Sequence, residues 1–376
     1  MKLLRTTEER LALVLQQNTE LAQRLDGMSP VLTELIVRQE HYQSTLEARL
    51  TVADQSQVAL RAHLTALQEH LRAQDAVLAV LTTRLGVLEE QNKGLLLELH
   101  RAVEDRERLR MALGRIEVRQ TENSSLAKSE FSVFSQGGED GLLARLLAET
   151  TLPNQRFVEF GVEDYREANT RFLLLSGGWS GLVLDGDPAN IARIRDSRAY
   201  WHAALTAEQA FVTRENINEL LTTHGFVGEL GLLSIDIDGN DYWVWEAVEV
   251  AQPAVMSVEY NWRFGPDAAV TIPYEPAFDR TAAHPSWLYF GASLAALEAL
   301  GKRKGYTLVA ASSSGVNAFF VRESLRPSSL PAQTAATLWR PGRYSETRDA
   351  AGNMVKLSPE AQQRLVQSLP TVTVTI

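Results

Sequence analysis

A chain of 376 residues with 45% hydrophobic and 22% charged residues has the makings of two or three packed domains rather than a disordered segment. Its formal net charge of −10 excludes a general nucleic-acid binder, which needs a basic face. The absence of cysteine excludes disulfides, thiolate metal sites and cysteine nucleophiles, and suits a reducing compartment. The N-terminal MKLLRTTEERLALVL has charges where a signal peptide needs its apolar run, and no window approaches the roughly 18 apolar residues of a membrane span. The expectation is a soluble cytoplasmic protein with no nucleic-acid partner and no membrane span.

Up to about residue 120 helix breakers are few: Gly27, Pro30, Gly86, Gly94 and Gly114. From Leu60, alternating steps of four and three land on Leu64, Leu67, Leu71, Leu78, Leu81, Leu85, Leu88, Leu95, Leu99, Leu109, Leu113 and Ile116. Polar Gln74, Asn92 and Arg106 fall in the same register. This a/d pattern over about eight heptads predicts a coiled coil. The phase runs back through Leu50, Leu46, Ile36, Leu32, Leu25, Leu15 and Leu11, weakened by Gln39, Gln43 and Gln57. Gly27-Met28-Ser29-Pro30 interrupts it, with Ser29 as a cap and Pro30 opening a new helix. One amphipathic helix of this length cannot bury its seam alone. Residues 1–122 are therefore expected to be an oligomerisation stalk through which the chain self-associates; the alternative is a helix folding back on its own domain.

After Asn123-Ser124-Ser125 the periodicity changes. Strands are expected at Arg156 to Gly161, Gly181 to Asp185, Gln209 to Thr213, Leu232 to Asp236 and Ala254 to Glu259, with helices between them over Asn169 to Leu175, Ala189 to Arg195 and Ile217 to His224. Strands alternating with helices predict a parallel, doubly wound α/β sheet. Tyr306 to Ala310 and Val316 to Val321, joined by Ser312-Ser313-Ser314-Gly315, predict a closing hairpin. A mainly parallel seven-stranded sheet with an antiparallel terminal hairpin is the topology of the Rossmann-like class I methyltransferases, whereas a dinucleotide-binding domain closes with another parallel strand. The expected α/β domain spans 128–325, and the assignment of 326–376, a C-terminal tail, stays open between a flexible arm and a partner strand.

In such sheets ligands bind beyond the carboxyl ends of the strands, and here those ends are acidic. Glu159 and Gly161 close the first strand and Asp185 the second. Glycine lets a ligand approach the backbone, Glu159 can receive an ammonium, and Asp185 can accept both hydroxyls of a ribose. Asn216, past the third strand, can contact an adenine or simply cap the next helix. The first loop reads Gly161-Val162-Glu163-Asp164-Tyr165, which disfavours a pyrophosphate and tolerates a sulfonium. Asp236, Asp238 and Asp241 crowd the fourth strand end, and Glu259 with Asn261 the fifth. Asp236, Glu259 and the amide oxygen of Asn261 form an oxygen set suited to Mg²⁺ or Mn²⁺. The competing readings are a general base at Asp236 or Asp238, and helix capping by Asp238 and Asp241. His284, in a loop after the fifth strand, is a further candidate base.

Several separated stretches carry a resemblance: FSQGGEDG from Phe134, FVEFG from Phe157, EANTR from Glu167, LLSIDIDGNDYWVW from Leu232, VEYN from Val258, GASL from Gly291, KGY from Lys304 and GVNAFFV from Gly315. Over roughly 131–325 the chain resembles a bacterial family of S-adenosylmethionine-dependent methyltransferases similar to FkbM-type O-methyltransferases, a family associated with surface-polysaccharide synthesis. The resemblance implies a methyl donor, S-adenosylmethionine, bound by Glu159, Gly161 and Asp185, with the Asp236 to Asp241 loop facing donor and acceptor. The expected reaction is methyl transfer to a saccharide hydroxyl. The alternatives are an N- or protein methyltransferase and a coiled-coil scaffold with an inactive methyltransferase-like domain.

Overall fold

The computed structural model describes residues 11–22, 30, 31, 33–35, 37–42, 44, 57–343 and 346–375. The expected break at Gly27-Met28-Ser29 and the seam positions Leu25, Leu32, Ile36, Leu46 and Leu50 lie outside the described residues. The chain divides into two compact units, Met1–Leu99 and His100–Ile376. No helix among the described residues is long and apolar enough to cross a membrane.

Helix α1 (Gln57–Thr121) accounts for most of the described part of the first unit and for the start of the second. Within the first unit the expected seam is half-buried at Leu64, Leu67, Leu71, Leu81, Leu88, Leu95 and Leu99 and exposed at Leu78 and Leu85. In the second unit α1 has two distinct faces. Leu109, Leu113 and Ile116 are exposed on one, while Met111 on the other is buried in a cluster with Val133, Phe134 and Phe172. Gly114 lies on that buried face, where a Cβ would come within 2.5 Å of Val133 Cγ2. The second unit begins at His100, and the last turns of α1 supply core side chains to it.

Seven strands form one sheet in the order β3-β2-β1-β4-β5-β7-β6. β1 (Arg156–Phe160), β2 (Ser180–Asp185), β3 (Leu205–Gln209), β4 (Gly228–Ile235) and β5 (Ala251–Glu259) are parallel. β7 (Asn317–Arg322) lies antiparallel between β5 and β6 (Tyr306–Ala311). This is the class I methyltransferase fold. Both faces are covered: Phe157, Val183, Leu232 and Val255 belong to one core and Val158, Leu182, Leu233 and Met256 to the other. Alternation at period two and burial on both sides explain why these strands read as continuous apolar runs. The third strand sits earlier than Gln209 to Thr213. Parallel pairing ends where Gln209 meets Asp185, so Phe211 is left exposed beyond the strand.

The helices that cover the sheet are α2 (Glu139–Glu149), α3 (Arg171–Ser176), α4 (Pro188–Asp196), α5 (Ile217–Thr223), α6 (Asp241–Ala247) and α7 (Leu294–Arg303). The tail returns to the domain. Helix α8 (Pro359–Gln367) sends Val366 into a cluster with Phe264, Ile272 and Leu288, and Val372–Thr373 pairs antiparallel with Val270–Thr271.

A chain beginning at residue 125 lacks Met111 and Glu107, uncovers Phe134 and Phe172, and leaves the buried Arg171 without its ion pair. It should be less stable than one beginning at residue 98 by about 3 kcal/mol. Equal urea midpoints for the two would show that α1 contributes nothing to the fold.

Candidate active site

β1 ends on Gly161, whose φ is +72° and whose Cβ, if present, would stand 1.6 Å from the Asp236 carbonyl oxygen. Only glycine allows this approach. It brings the loops after β1 and β4 together where the strand order reverses, the expected ligand position in such sheets. A cavity of about 790 Å³ opens there. The loops after β1 and β2 line it with Gly161, Glu163, Asn169 and Asp185, and the ends and loops of β4 and β5 with Asp236, Asp238, Glu259, Trp262 and Arg263. Phe211, Phe290 and Asn317 also line it, as do Ser135 and Gln136 from the stretch before α2.

Glu159 lines the cavity but is fully engaged within the protein. Oε1 accepts from Asn169 N (2.9 Å) and Ser234 Oγ (3.3 Å), and Oε2 from Thr170 N (3.1 Å) and Thr170 Oγ1 (2.6 Å). Burial pushes its pKa up, and these bonds oppose that. A carboxylate has about four acceptor positions, so none is left for a ligand ammonium. Glu159 is thus an anchor for the loop before α3. Asp185 is also partly committed: Oδ1 accepts from Asp187 N (2.9 Å) and Asn190 Nδ2 (3.0 Å), and Oδ2 from Glu163 N (2.8 Å). One position remains on Oδ2, enough for a single hydroxyl rather than both. Glu163, in the loop after β1, has its pKa raised by burial and by Asp238, Asp164, Asp185 and Glu167.

The acids after β4 and at the end of β5 divide by environment. Asp241 is buried, accepts from Ile237 N (2.9 Å) and Gly239 N (3.0 Å), and shapes the loop rather than facing a ligand; burial pushes its pKa up to about 7. Asp238, exposed and with φ +55°, pairs with Arg280. Asp236 and Glu259 have pKa values well above the ordinary carboxyl range, through burial first and then through neighbouring acids, each being one of the other's. Glu259 is directly opposite Asn317 in the β5–β7 register. Glu259 Oε2 and Asn317 Nδ2 are both buried and both lack a hydrogen-bond partner among the described residues, although the Asn317 amide is close enough to Asp236 to lower its pKa.

Three expected site residues are placed elsewhere. Asn216 does not line the cavity; its side chain accepts from Thr213 N and donates to Phe211 O, holding the turn before α5. His284 Nδ1 accepts from Ser286 N (3.1 Å), so the ring binds back onto its own loop outside the cavity wall. Asn261 is buried with Oδ1 accepting from Arg263 N and Nδ2 donating to Leu288 O and Phe290 O, so its oxygen is taken. Among the described residues no group of three or more His, Asp or Glu is arranged to hold a metal ion, and the residues present do not fit the Mg²⁺ or Mn²⁺ reading. Asn317, Arg263 and Ser135 were missed as site residues. Asn317 and Ser135 fall within the quoted GVNAFFV and FSQGGEDG stretches, but nothing in sequence spacing puts Asn317 opposite Glu259.

No family model and no curated protein matches this sequence. Solved structures match at low identity. The N-terminal domain of EvdMO1 with SAH bound is 14% identical, covering 56% of this chain and 94% of that chain at a TM-score of 0.32. A putative O-methyltransferase from Klebsiella pneumoniae is 13% identical over 56% of this chain and 87% of that chain, TM-score 0.32. An O-methyltransferase from Bacillus cereus in complex with SAH is 14% identical over 41% and 68%, TM-score 0.27. The strand order of this chain, rather than these likenesses, defines its fold.

Asp241 sets a pH dependence. Its carboxyl goes from about 3.8 when unfolded to about 7 when folded, so folding takes up a proton between those values. The stability it contributes is complete below pH about 4 and is lost as pH rises toward 7. Relative to Asp241→Asn, the protein should lose up to ~1.4 kcal/mol per pH unit across that window. Parallel urea-stability curves for the two from pH 4.5 to 7 would contradict the assignment.

Proposed function

We propose that the chain is an S-adenosylmethionine-dependent O-methyltransferase acting on a saccharide hydroxyl. The observation that carries this reading is the unsatisfied pair Glu259 Oε2 and Asn317 Nδ2 on neighbouring strands of the cavity wall. A hydroxyl answers both, donating to the carboxylate and accepting from the amide, whereas an ammonium has no lone pair for Asn317. Trp262 and Phe290 line the same cavity, and aromatic rings suit the apolar face of a sugar. The resemblance to FkbM-type methyltransferases and their polysaccharide association supports the same acceptor class.

The acids of the loops after β1 and β2 fit a cationic donor: Glu163, Glu167, Asp185 and Asp187 all line the cavity. S-adenosylmethionine supplies an electrophilic methyl group when bound. The chain's own contribution is to orient the acceptor hydroxyl between Glu259 and Asn317 and to take its proton at Glu259 as the oxygen is methylated. Burial, and then Asp236, raise the pKa of Glu259, which makes its carboxylate a stronger base than an ordinary one. Self-association through α1 is part of the proposal, supported by an apolar stripe at heptad spacing whose Leu109, Leu113 and Ile116 are exposed in the single chain.

Three outcomes test this. S-adenosylhomocysteine should raise the melting temperature, and Asp185→Ala should weaken its binding by about 1.5 kcal/mol, the scale of one bond to a charged group. Glu259→Gln should lower turnover on a saccharide acceptor by roughly 10²–10⁴-fold while leaving S-adenosylhomocysteine affinity intact; full turnover would remove the base from Glu259. Leu109→Lys with Leu113→Lys should reduce the oligomeric state seen in sedimentation, and an unchanged mass would place the contact elsewhere.

A further inference from the structure

The loop that joins β1 to α3 contributes Gly161, Glu163, Glu167 and Asn169 to the cavity. Its backbone is unusual, since Glu163 (φ +48°) and Tyr165 (φ +61°) both adopt the left-handed region that non-glycine residues rarely occupy. Such a conformation persists only where its surroundings hold it. Glu163 N is held by Asp185, and the Tyr165 hydroxyl bonds Thr170 Oγ1 at 2.9 Å. The remaining clamp is Arg171, whose Nη1 donates to the Tyr165 carbonyl at 2.6 Å.

Arg171 is itself held from outside the sheet. Its Nη2 donates at 2.6 Å to Glu107 on α1, and its guanidinium lies over the Phe134 ring at 4.9 Å. The planar fork thus bridges two elements, with one nitrogen on the helix and the other on the loop. The Arg171 side chain is only 11% exposed, and Glu107 is the carboxylate that pairs with its charge. We propose that Glu107, on the part of α1 that opens the second unit, is a positioning residue for methyl-donor binding, acting through Arg171 on the Tyr165 carbonyl. This rests on the reading of the cavity as a donor site. Glu104, one turn earlier on α1, serves as an internal control: it pairs with Arg198 at 2.9 Å, near α4, and so docks the helix without reaching the loop.

The test uses the full chain with Glu107→Ala, Glu107→Gln and Glu104→Ala, and S-adenosylhomocysteine as the probe in calorimetry. Glu107→Ala should weaken binding about tenfold, Glu107→Gln should recover to within about threefold because its amide oxygen still accepts from Arg171, and Glu104→Ala should bind as the wild type. Hydrogen exchange of the 161–170 segment without ligand should speed up in Glu107→Ala and not in Glu104→Ala. Wild-type affinity and exchange in Glu107→Ala, or equal losses in Glu104→Ala, would overturn the proposal. A wild-type chain that fails to bind S-adenosylhomocysteine would instead defeat the donor reading, and the exchange measurement would still report whether Glu107 holds the loop.

Discussion

Four hydrogen bonds converge on the buried carboxylate of Glu159, and the geometry of the site depends on them. A carboxylate taken out of water is costly unless donors replace its hydration. Here the donors are the N–H groups of Asn169 and Thr170 at the start of α3, the Thr170 hydroxyl and Ser234 of β4. The arrangement satisfies backbone groups that have no partner within the helix and ties β1, β4 and α3 to one point. The intervening loop is thereby stretched across the strand ends. Its position at the cavity, the left-handed turns within it and the exposure of its acids follow from that anchorage.

Carboxylates of the same type do different work in this cavity according to what surrounds them. Glu159 is saturated with donors and Asp241 is engaged by two backbone N–H groups, so both are structural. Asp238 is exposed and paired with Arg280. Glu259 is as buried as the structural pair yet leaves an oxygen without a donor, beside an amide that leaves a hydrogen without an acceptor. Buried polar atoms without partners call for an explanation, and at a cavity wall a bound ligand supplies one. That contrast, more than the number of acids, separates the acid left open to a ligand from its supports.

Segments remote in sequence complete the cavity. Arg263 is held by Gln362 of the tail at 2.8 Å, and burial, with Arg280 nearby, lowers its pKa to about 10. Gly315 approaches Gly342 so closely that a Cβ would meet its Cα at 2.7 Å, which draws the β6–β7 turn and the tail together. Elsewhere, α1 reaches the loop after β1 through Arg171. The α/β domain is thus finished at both ends by segments that a strand-and-helix count leaves out.

The alternation of apolar strands with helices, the closing hairpin and the acidic strand ends were legible in the sequence, because period-two burial and glycine at a strand end are local properties of the chain. The heptad spacing of α1 was legible for the same reason. Which acid faces the ligand was not, since Glu159 and Glu259 both end a strand and differ only in the donors that other segments bring to them. The opposition of Glu259 and Asn317 is a matter of antiparallel register between strands 58 positions apart, fixed by how β7 inserts beside β5. The second face of α1 and the return of the tail depend likewise on packing against surfaces that exist only after the sheet has formed. Local pattern determined the elements and their order; long-range contacts decided which polar atoms were satisfied by the protein, and so which remained to act on a ligand.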